Sequence, residues 1–412
     1  MNFLLEIKEG LLIAWDAIRA NKLRSVLTTL GIIIGIVTVT SMATAIDALN
    51  RALHDSLSIM GADVLFVDKF NWEIHSEDEW LREFKRPDIT REQTRRIEKK
   101  MLLASAVAPR ADSMRPVWYQ NRRANRVNII GTTDQFLITS GFAMALGRFM
   151  SPAEVEGGRP VCVIGNDVAT NLFQKEPPLG KKIKIGEHQL TVIGVLEKRG
   201  SFLGLDSFDN EVIIPIPQFV FSYWRNPTYS MEVKVREMDH LEDAKEELRG
   251  LMRTIRHVAP EDPDNFAINQ QQQILKTFDR LTGTIAAVGL VITGMSLFVG
   301  GIGIMNIMFV SVAERTREIG VRKAIGAKQR TILLQFLIEA ASICLLGGLA
   351  GLAITYSLTL LVAGAFPYFP ITMSFPVMGL AILTSIATGL TSGFLPAWRA
   401  ARMNPVDALR NE

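Results

Sequence analysis

The sequence is poor in cysteine and histidine and carries little net charge. Its 412 residues include two cysteines, Cys162 and Cys344, and the formal net charge is +3. Two cysteines are too few for a disulfide framework or a cysteine-based zinc site. Cys344 also lies in an apolar run, where a disulfide to Cys162 is not expected. The small charge, without a basic-aromatic module, gives no indication of nucleic-acid binding.

Catalytic motifs are missing as well. The nearest approach to a phosphate-binding loop, GVRKAIGAK at 320–328, lacks the GK[ST] ending and the spacing of that loop. There is no GxSxG or HExxH motif, and the histidines are scattered without metal-ligand spacing. The acidic runs at 77–79 and 261–262 are interpreted as solvated loops. We therefore expect a non-enzymatic chain with no catalytic residue, cofactor or metal. If the protein performs ATP-driven work, the hydrolysis takes place on another chain.

Long apolar runs are what the sequence does contain. Hydrophobic residues make up 48% of the chain, and the mean hydropathy of +0.20 lies between soluble and all-membrane proteins. The segment 25–46 is uncharged and long enough to cross ~30 Å of hydrocarbon. A cleaved signal peptide is the alternative, because Ala43 to Ala45 resembles a cleavage site. The long, acid-containing segment before the run favours an uncleaved first span, preceded by an interfacial helix over 1–24.

Three further spans follow towards the end of the chain. The uncharged run 281–313 is longer than a bilayer requires, so it is either steeply tilted or projects beyond the membrane as a stalk, and we favour projection. We place the remaining spans at 331–363 and 376–396, separated by GAFPYFP, with a cytoplasmic tail at 397–412. Close helix packing is predicted for glycines of these spans, namely Gly31, Gly35, Gly300, Gly301, Gly303, Gly347 and Gly351.

The polar segment 47–280 predicts an α+β domain. Strands are predicted at 63–68, 126–130, 161–164, 182–185, 190–196, 211–216 and 231–236, and helices at 90–103 and 239–257. Turn clusters and a strand-rich middle suggest two lobes. The inner lobe comprises about 47–124 and 209–280, and the outer lobe is inserted at about 125–208. Four tryptophans either line a groove or, as we favour, pack in the core: Trp72, Trp80, Trp118 and Trp224.

A short basic segment, 314–330, connects the second and third spans. Glu318 and Arg322 are spaced i,i+4 with the acid first, which supports a short helix. Val321, Ala324 and Ile325 form an apolar face that could enter a groove of a partner. The alternative is a positive loop that only fixes topology, but it leaves the acids and the apolar face unexplained. We predict a coupling helix that takes force from a partner protein.

The distribution of basic residues predicts the orientation. Lys22 and Arg24, the segment 314–330, and Arg399 with Arg402 all carry basic charge, whereas the loop near Pro370 carries none. By the positive-inside bias the N-terminus, the coupling helix and the C-terminus are cytoplasmic, and 47–280 is extracytoplasmic. The predicted fold class is therefore a membrane protein with four transmembrane α-helices and a large α+β extracytoplasmic domain of two lobes.

Three stretches resemble a known family. GGIGIMNIMFVSVAERTREIGVRKAIGAKQRTILLQFLIEA at 300–340 is similar to the membrane-coupling signature of MacB-like ABC transporter permeases, within the FtsX-like permease superfamily. NKLRSVLTTLGIIIGI at 21–36 resembles the first span of that family, and PAWRAARMNPVDALRNE at 396–412 resembles its C-terminus.

The resemblance implies a homodimeric permease that works by mechanotransmission in the inner (plasma) membrane. It implies that a set of residues faces the ATPase, with Val321 in the same coupling segment: Glu314, Arg315, Arg317, Glu318, Ile319, Gly320 and Arg322. The chain starts at the permease without a fused ATPase domain, so a separate ABC ATPase subunit is expected. A periplasmic adaptor and an outer-membrane duct are further expected partners in a Gram-negative cell.

The expected function is the efflux of amphipathic compounds, peptides or lipoproteins, driven by ATP hydrolysis on the partner. The alternative is a non-transporting transmembrane regulator of a cell-wall hydrolase, as in FtsX-type members. The size of 47–280 favours efflux, because the regulator type carries a smaller outside domain. A lipoprotein-release member has a different coupling pattern.

Overall fold

A computed structural model describes residues 22–58, 61–73, 76–202, 206–223, 227–365 and 371–410. The chain divides into two compact units. We call them the helical unit, Met1–Asn50 with Leu281–Glu412, and the central domain, Arg51–Arg280. The interfacial helix predicted at 1–24 lies almost wholly outside the described residues.

The described elements, in chain order, are α1 (Lys22–Ser58), β1 (Val64–Asp68), α2 (Glu77–Phe84), α3 (Arg91–Lys100), β2 (Ala104–Tyr119), β3 (Arg122–Thr132), α4 (Phe136–Ser140), β4 (Met144–Gly147), α5 (Pro152–Glu156), β5 (Val161–Ile164), α6 (Asn166–Phe173), β6 (Lys182–Ile185), β7 (His188–Leu196), β8 (Ser201–Phe202), β9 (Asp206–Ser207), β10 (Glu211–Pro215), α7 (Ile216–Ser222), β11 (Ser230–Val235), a 3₁₀ turn (Met238–His240), α8 (Leu241–Ile255), β12 (Ala267–Gln270), α9 (Gln271–Glu314), α10 (Thr316–Ala324), α11 (Gln329–Ala365), α12 (Phe375–Arg402) and α13 (Pro405–Arg410).

Four helices in the described part of the chain are long and apolar enough to cross a membrane: α1, α9, α11 and α12. They contain the four predicted spans, and each extends beyond the predicted bounds. Helix α9 is one continuous helix of 44 residues, which corresponds to about 66 Å at the α-helical rise. That length exceeds the ~30 Å of a hydrocarbon core. Helix α12 continues through Pro396 to Arg402, so the proline does not end it.

Glycines bring the helices of the helical unit close together. A Cβ added to Gly31 of α1 would lie 3.0 Å from the Cα of Gly300 of α9, and one added to Gly301 would lie 2.6 Å from Ser392 Oγ. Gly35 faces the side chain of Leu297, whereas Gly303 is half-buried. The backbones can approach this closely because these positions have no side chain.

Helix α11 packs against α1 in the same way. Added Cβ atoms at Gly347 and Gly351 would meet Ile32 and Ile36 of α1, the latter at 3.0 Å. A hydrogen bond of 2.8 Å joins the hydroxyls of Thr40 and Thr355 on the same two helices. Thr40 Oγ1 also donates to the carbonyl of Ile36 at 2.6 Å, so the bond between the helices serves to give the buried hydroxyl of Thr355 a partner.

The central domain is built on a ten-stranded mixed sheet with the order β12-β1-β11-β2-β3-β10-β5-β7-β4, in which β6 pairs with β2 and β7. The long strand β2 joins its two parts. The first part of β2 pairs with β11, and the part from Ala111 onwards pairs with β3. Strand β10 runs parallel to β3 and antiparallel to β5. The division into an inner and an outer lobe stays a prediction.

The two faces of this sheet differ in character because side chains alternate along a strand. On one face, residues such as Leu65, Val107 and Val233 join a large apolar core, which also contains Ile97 of α3 and Leu248 of α8. On the opposite face Ala108, Ile130 and Ile213 join a smaller apolar core around Phe136. Other positions of that face carry polar and charged side chains, and this polar face forms the cavity described below.

Two local predictions need correction. Residues 77–79 are not a loop but the first turn of α2, where Glu79 accepts a hydrogen bond from the backbone N–H of Ser76 at 3.3 Å. Acidic side chains at a helix N-terminus are favourable because they pair with unsatisfied N–H groups. Strand β2 was not predicted, since its second half is rich in exposed polar residues. Residues 261–262 do lie in an exposed turn.

Candidate functional site

The coupling segment is shorter and more compact than the predicted 314–330. Helix α9 ends at Glu314 and α10 begins at Thr316, so only Arg315 separates them. Helix α10 ends at Ala324, and Gly326 then adopts a φ of +100°, a left-handed conformation that favours glycine. Helix α11 begins soon afterwards, at Gln329. Two abrupt turns therefore place α10 between two membrane-length helices.

Three polar contacts fix α10 to its neighbours. Arg315 Nη1 lies 3.4 Å from Glu339 Oε2 of α11, and Arg322 Nη1 donates to Gln335 Oε1 of α11 at 2.7 Å. Lys323 Nζ donates to the carbonyl of Met403, the residue that follows α12, at 2.6 Å. The partly desolvated setting of Lys323 lowers its pKa. Helix α10 is thus attached to both α11 and the end of α12.

Apolar packing adds to this attachment. The side chain of Ile319 is only 4% exposed and belongs to the core cluster of the helical unit, together with Phe336 and Ala401. Gly320 is also buried. The side chain of Ile319, a predicted coupling residue, therefore holds α10 in place and is not exposed on the surface.

The opposite face of α10 and the adjoining turns are exposed. We call this the docking face; it consists of Glu314, Arg317, Glu318, Val321, Arg322, Ala324 and Ile325. Arg315 is half-buried. Ile325 is 82% exposed, and Glu318 forms an ion pair with Arg322 as expected from their spacing. The face combines charges of both signs with an exposed apolar centre, which suits a protein partner.

A second candidate site is a cavity of about 480 Å³ in the central domain. Its floor is the polar face of five adjacent strands, β1, β11, β2, β3 and β10. The strand register aligns the floor residues, since Phe66 is opposite Glu232, Ser230 is opposite Arg110, and Asn128 is opposite Glu211. The walls come from the segment around α4 and from the loop that follows β7.

Three charged groups at the floor of the cavity, Arg110, Asp112 and Glu232, are paired. Arg110 Nε donates to both carboxylate oxygens of Asp112, at 3.0 and 3.1 Å, and its Nη1 lies 3.4 Å from Glu232 Oε1. The other oxygen of Glu232 accepts from Thr139 Oγ1 at 2.9 Å. Burial raises the pKa of Glu232, although Arg110 opposes the shift. The network bridges β2, β11 and α4.

Asp209 and Arg199 hold the cavity wall that is formed by the loop after β7. The carboxylate of Asp209 accepts from the backbone N–H groups of Arg199 and Gly200, at 2.8 and 2.9 Å. The Arg199 guanidinium carbon lies 4.2 Å from the ring centroid of Phe142, and Arg199 donates to the carbonyl of Ser140 at 3.3 Å. A cation over an aromatic face is a favourable contact. These contacts hold Arg199, Gly200 and Asp209 together at the wall of the cavity.

Burial raises the pKa of two further acids of the cavity. Burial raises the pKa of Glu211 to about 8, because desolvation of the carboxylate outweighs the attraction of Arg110 and Arg199. Burial also raises the pKa of Asp68 to about 6, although a hydrogen bond from Trp72 Nε1 at 3.2 Å acts to lower the pKa. Strongly shifted acids in a cavity are typical of binding and catalytic sites.

The tryptophans differ from the favoured prediction. Trp72 lines the cavity, which fits the groove alternative, and its ring lies 4.9 Å from that of Phe66. Trp80 is exposed rather than in the core, where it stacks on Phe84 of the same helix at 5.6 Å. Trp118 is half-buried, with the Arg123 guanidinium 5.2 Å from its ring. Trp224 lies outside the described residues.

Comparison with known proteins identifies the family. The chain matches the MacB-like periplasmic core domain over residues 25–251 and the FtsX-like permease C-terminal domain over residues 290–405. The chain belongs to the MacB-like family of ABC transporter permeases. The coupling segment lies inside the permease match, and every residue of the cavity lies inside the core-domain match.

Named relatives agree with this assignment. The chain is 32% identical to the macrolide export ATP-binding/permease protein MacB of Rhodopirellula baltica, over 98% of this chain and 62% of the relative. It is 32% identical to the protein of that name from Neisseria gonorrhoeae, over 96% of this chain and 60% of the relative. The chain thus spans about three fifths of the length of these relatives.

Among solved structures, the periplasmic region of MacB from Actinobacillus actinomycetemcomitans matches 55% of this chain and 97% of that chain. The TM-score is 0.45 and the sequence identity 16%. The Rhodopirellula and Neisseria relatives are both named for export. Their names do not favour the alternative of a cell-wall hydrolase regulator.

The cavity of this MacB-like permease was not found from the sequence. Arg110 comes from β2, which is far along the chain from the consecutive strands β10 and β11 that carry Glu211 and Glu232. One sequence signal was present, since Glu232 interrupts an apolar strand and Glu211 opens one. A charged residue in a buried strand requires a partner or a function.

Proposed function

We propose that this permease transmits the movement of an ABC ATPase, docked on the docking face of α10, to its extracytoplasmic domain. The observation that carries the proposal is the two-sided character of α10. One side is fixed to α11 and α12 by Ile319 and Lys323, and Arg322 of the docking face also donates to Gln335 of α11. The other side exposes mixed charge around Ile325.

The attachment of α10 explains how force would enter the helices. A partner that pushes on the docking face cannot rotate α10 freely, because contacts to both α11 and the end of α12 would have to break. The ion pair between Arg315 and Glu339 is costly to disrupt, because the side chain of Glu339 is only 3% exposed and would be left as an unpaired buried charge. Displacement of α10 would therefore be shared by its neighbours.

The continuity of α9 explains how movement would leave the coupling segment. Only Arg315 separates α10 from this 44-residue helix. A continuous helix transmits displacement along its axis because every turn is hydrogen-bonded to the next. We place the coupling segment in the cytoplasm and the central domain outside, following the positive-inside bias.

Our proposal for the class of transported substrate rests on the family alone. Relatives of this chain are named for macrolide export, and we propose efflux of amphipathic compounds, peptides or lipoproteins without passage of the substrate between the membrane helices. We further propose that the active permease is a homodimer in the inner membrane, with ATP and magnesium bound by the ATPase. A periplasmic adaptor and an outer-membrane duct would complete the export route in a Gram-negative cell.

Charge reversal on the docking face tests the proposal. The double variant Arg317→Glu, Glu318→Arg should lose co-purification with the ABC ATPase and should lose coupling of ATP hydrolysis to transport. Glu242→Lys, a reversal at an exposed position of α8, is the matched control and should retain both. Unchanged binding and unchanged coupling in the double variant would contradict the docking proposal.

A further inference from the structure

The cavity of the central domain contains a carboxylate oxygen without a hydrogen-bond partner. Glu211 lines the cavity and is only 7% exposed. Its Oε1 is buried and accepts no hydrogen bond among the described residues. Buried polar atoms in folded proteins are normally bonded, and an unbonded one is destabilising. An oxygen of this kind, on the floor of a cavity, is placed to accept a bond from a ligand.

The neighbouring arginines do not supply that bond. Arg110 is engaged by Asp112 and Glu232, and Arg199 contacts Ser140 and the ring of Phe142. Both act on Glu211 through charge at a distance. Oε1 of Glu211 thus lies near positive charge but accepts no hydrogen bond from the described residues, which leaves this oxygen open to a donor from a ligand.

Aromatic side chains surround the remaining space. Phe66, Trp72, Phe142 and Phe208 line the cavity. Aromatic faces attract cations and also bury apolar groups. The volume of about 480 Å³ lies in the range of small-molecule sites. An acidic acceptor with aromatic walls is complementary to a cation that carries an apolar body.

We propose that this cavity binds a small organic cation, a primary ammonium group on an apolar body, with the ammonium N–H donating to Glu211 Oε1. The apolar body would lie against the aromatic walls. This inference does not rest on the docking proposal, because all the residues that carry it belong to the central domain.

Binding should displace a proton. The pKa of Glu211 depends on the charges of Arg110 and Asp112 of β2 and of Arg199 and Asp209 in the loop that follows β7. Glu232 and Asp68 share the cavity, and the exposed Arg126 lies at its edge. With a pKa of about 8, the carboxyl of Glu211 is mostly protonated at pH 7. An ammonium ligand favours the charged carboxylate, so the proton leaves to solvent as the ligand binds.

Calorimetry on the full chain in detergent tests the proposal, with 2-phenylethylammonium as the probe. Three results are expected. The affinity should rise with pH between 6 and 8, close to one proton should be released at pH 7, and 2-phenylethanol should bind at least tenfold more weakly. Measurements in buffers of different ionisation enthalpy give the proton count. Glu211→Gln should weaken ammonium binding by about ten- to hundredfold while leaving 2-phenylethanol binding unchanged.

Several outcomes would overturn the proposal. They are stronger binding of phenylacetate than of the ammonium, equal binding of 2-phenylethanol, absence of proton release from the wild-type protein, or full ammonium affinity in Glu211→Gln. Glu242→Gln, which removes an exposed carboxylate of α8, is the control and should bind as the wild type does. The proton count of the wild-type protein keeps the test decisive even if Glu211→Gln folds poorly.

Discussion

Replacing Ile319 and Ile325 by alanine, one at a time, removes the same atoms from opposite faces of α10. Ile319 is 4% exposed and packed in the core of the helical unit, whereas Ile325 is 82% exposed. Truncation of a buried isoleucine costs about 2–5 kcal/mol. Truncation of an exposed one changes stability by less than about 0.5 kcal/mol. Ile319→Ala should therefore destabilise the helical unit, and Ile325→Ala should not.

The effects on affinity for the ATPase should be the reverse, with Ile325→Ala the variant that loses affinity. If the ATPase covers Ile325, alanine loses about three buried carbons, or about 2 kcal/mol at ~0.8 kcal/mol each. That loss corresponds to about thirtyfold in affinity. Ile325→Ala should thus retain its stability and lose most of its affinity for the ATPase, a combination that misfolding does not produce.

The buried cysteines provide the stability assay. Cys162 and Cys344 are both fully buried and not disulfide-bonded, so a thiol-reactive dye reports unfolding. In a Cys162→Ala background the dye reports on Cys344 and hence on the helical unit alone. The reasoning would be refuted if Ile325→Ala lowered the unfolding midpoint as much as Ile319→Ala, or if it bound the ATPase as tightly as the wild type.

Three further variants test buried charge and close helix contacts. The raised pKa of Glu211, about 8, means that the folded state holds a proton that the unfolded state releases. The stability of the central domain should therefore fall as pH rises from about 5 to 8, and Glu211→Gln should flatten this fall in thermal unfolding midpoints. Arg148 lowers the pKa of Glu154 to about 2; Glu154→Gln should thus be less stable than the wild type at pH 7 and equal to it near pH 2, measured by circular dichroism. A Cβ at Gly389 would lie 2.8 Å from the Cα of Ala341, so Gly389→Ala should lower the midpoint of the helical unit, whereas Gly294→Ala, with no atom within 4 Å, should not.

The four membrane-length helices could be predicted because one property, a long apolar run, defines them. A long uncharged, apolar segment is expected to cross a membrane, and the charged segments on either side mark where the span ends. The ends were less accurate, since α1 continues to Ser58 through charged residues such as Asp47 and Arg51. Packing and capping, rather than hydropathy, decide where such a helix stops.

The cavity could not be predicted because its floor combines β1 and the consecutive strands β2 and β3 with β10 and β11, which follow much later in the chain. Strand β2 was missed, and without β2 the positions of Arg110 and Asp112 opposite β11 and β3 cannot be assigned. In contrast, the pair Glu318–Arg322 could be predicted, since i,i+4 contacts are local. The burial of Ile319 depends on α11 and α12 and is therefore not visible in its own segment.

Site-specific photo-cross-linking tests the central claim most directly. A photoreactive amino acid at position 325 of the permease, reconstituted with its ABC ATPase, should give a covalent adduct between the two proteins. The same substitution at the exposed Glu242 of α8 should give none. A docked, ATP-hydrolysing complex that forms no adduct from position 325 or from position 317 would contradict the account.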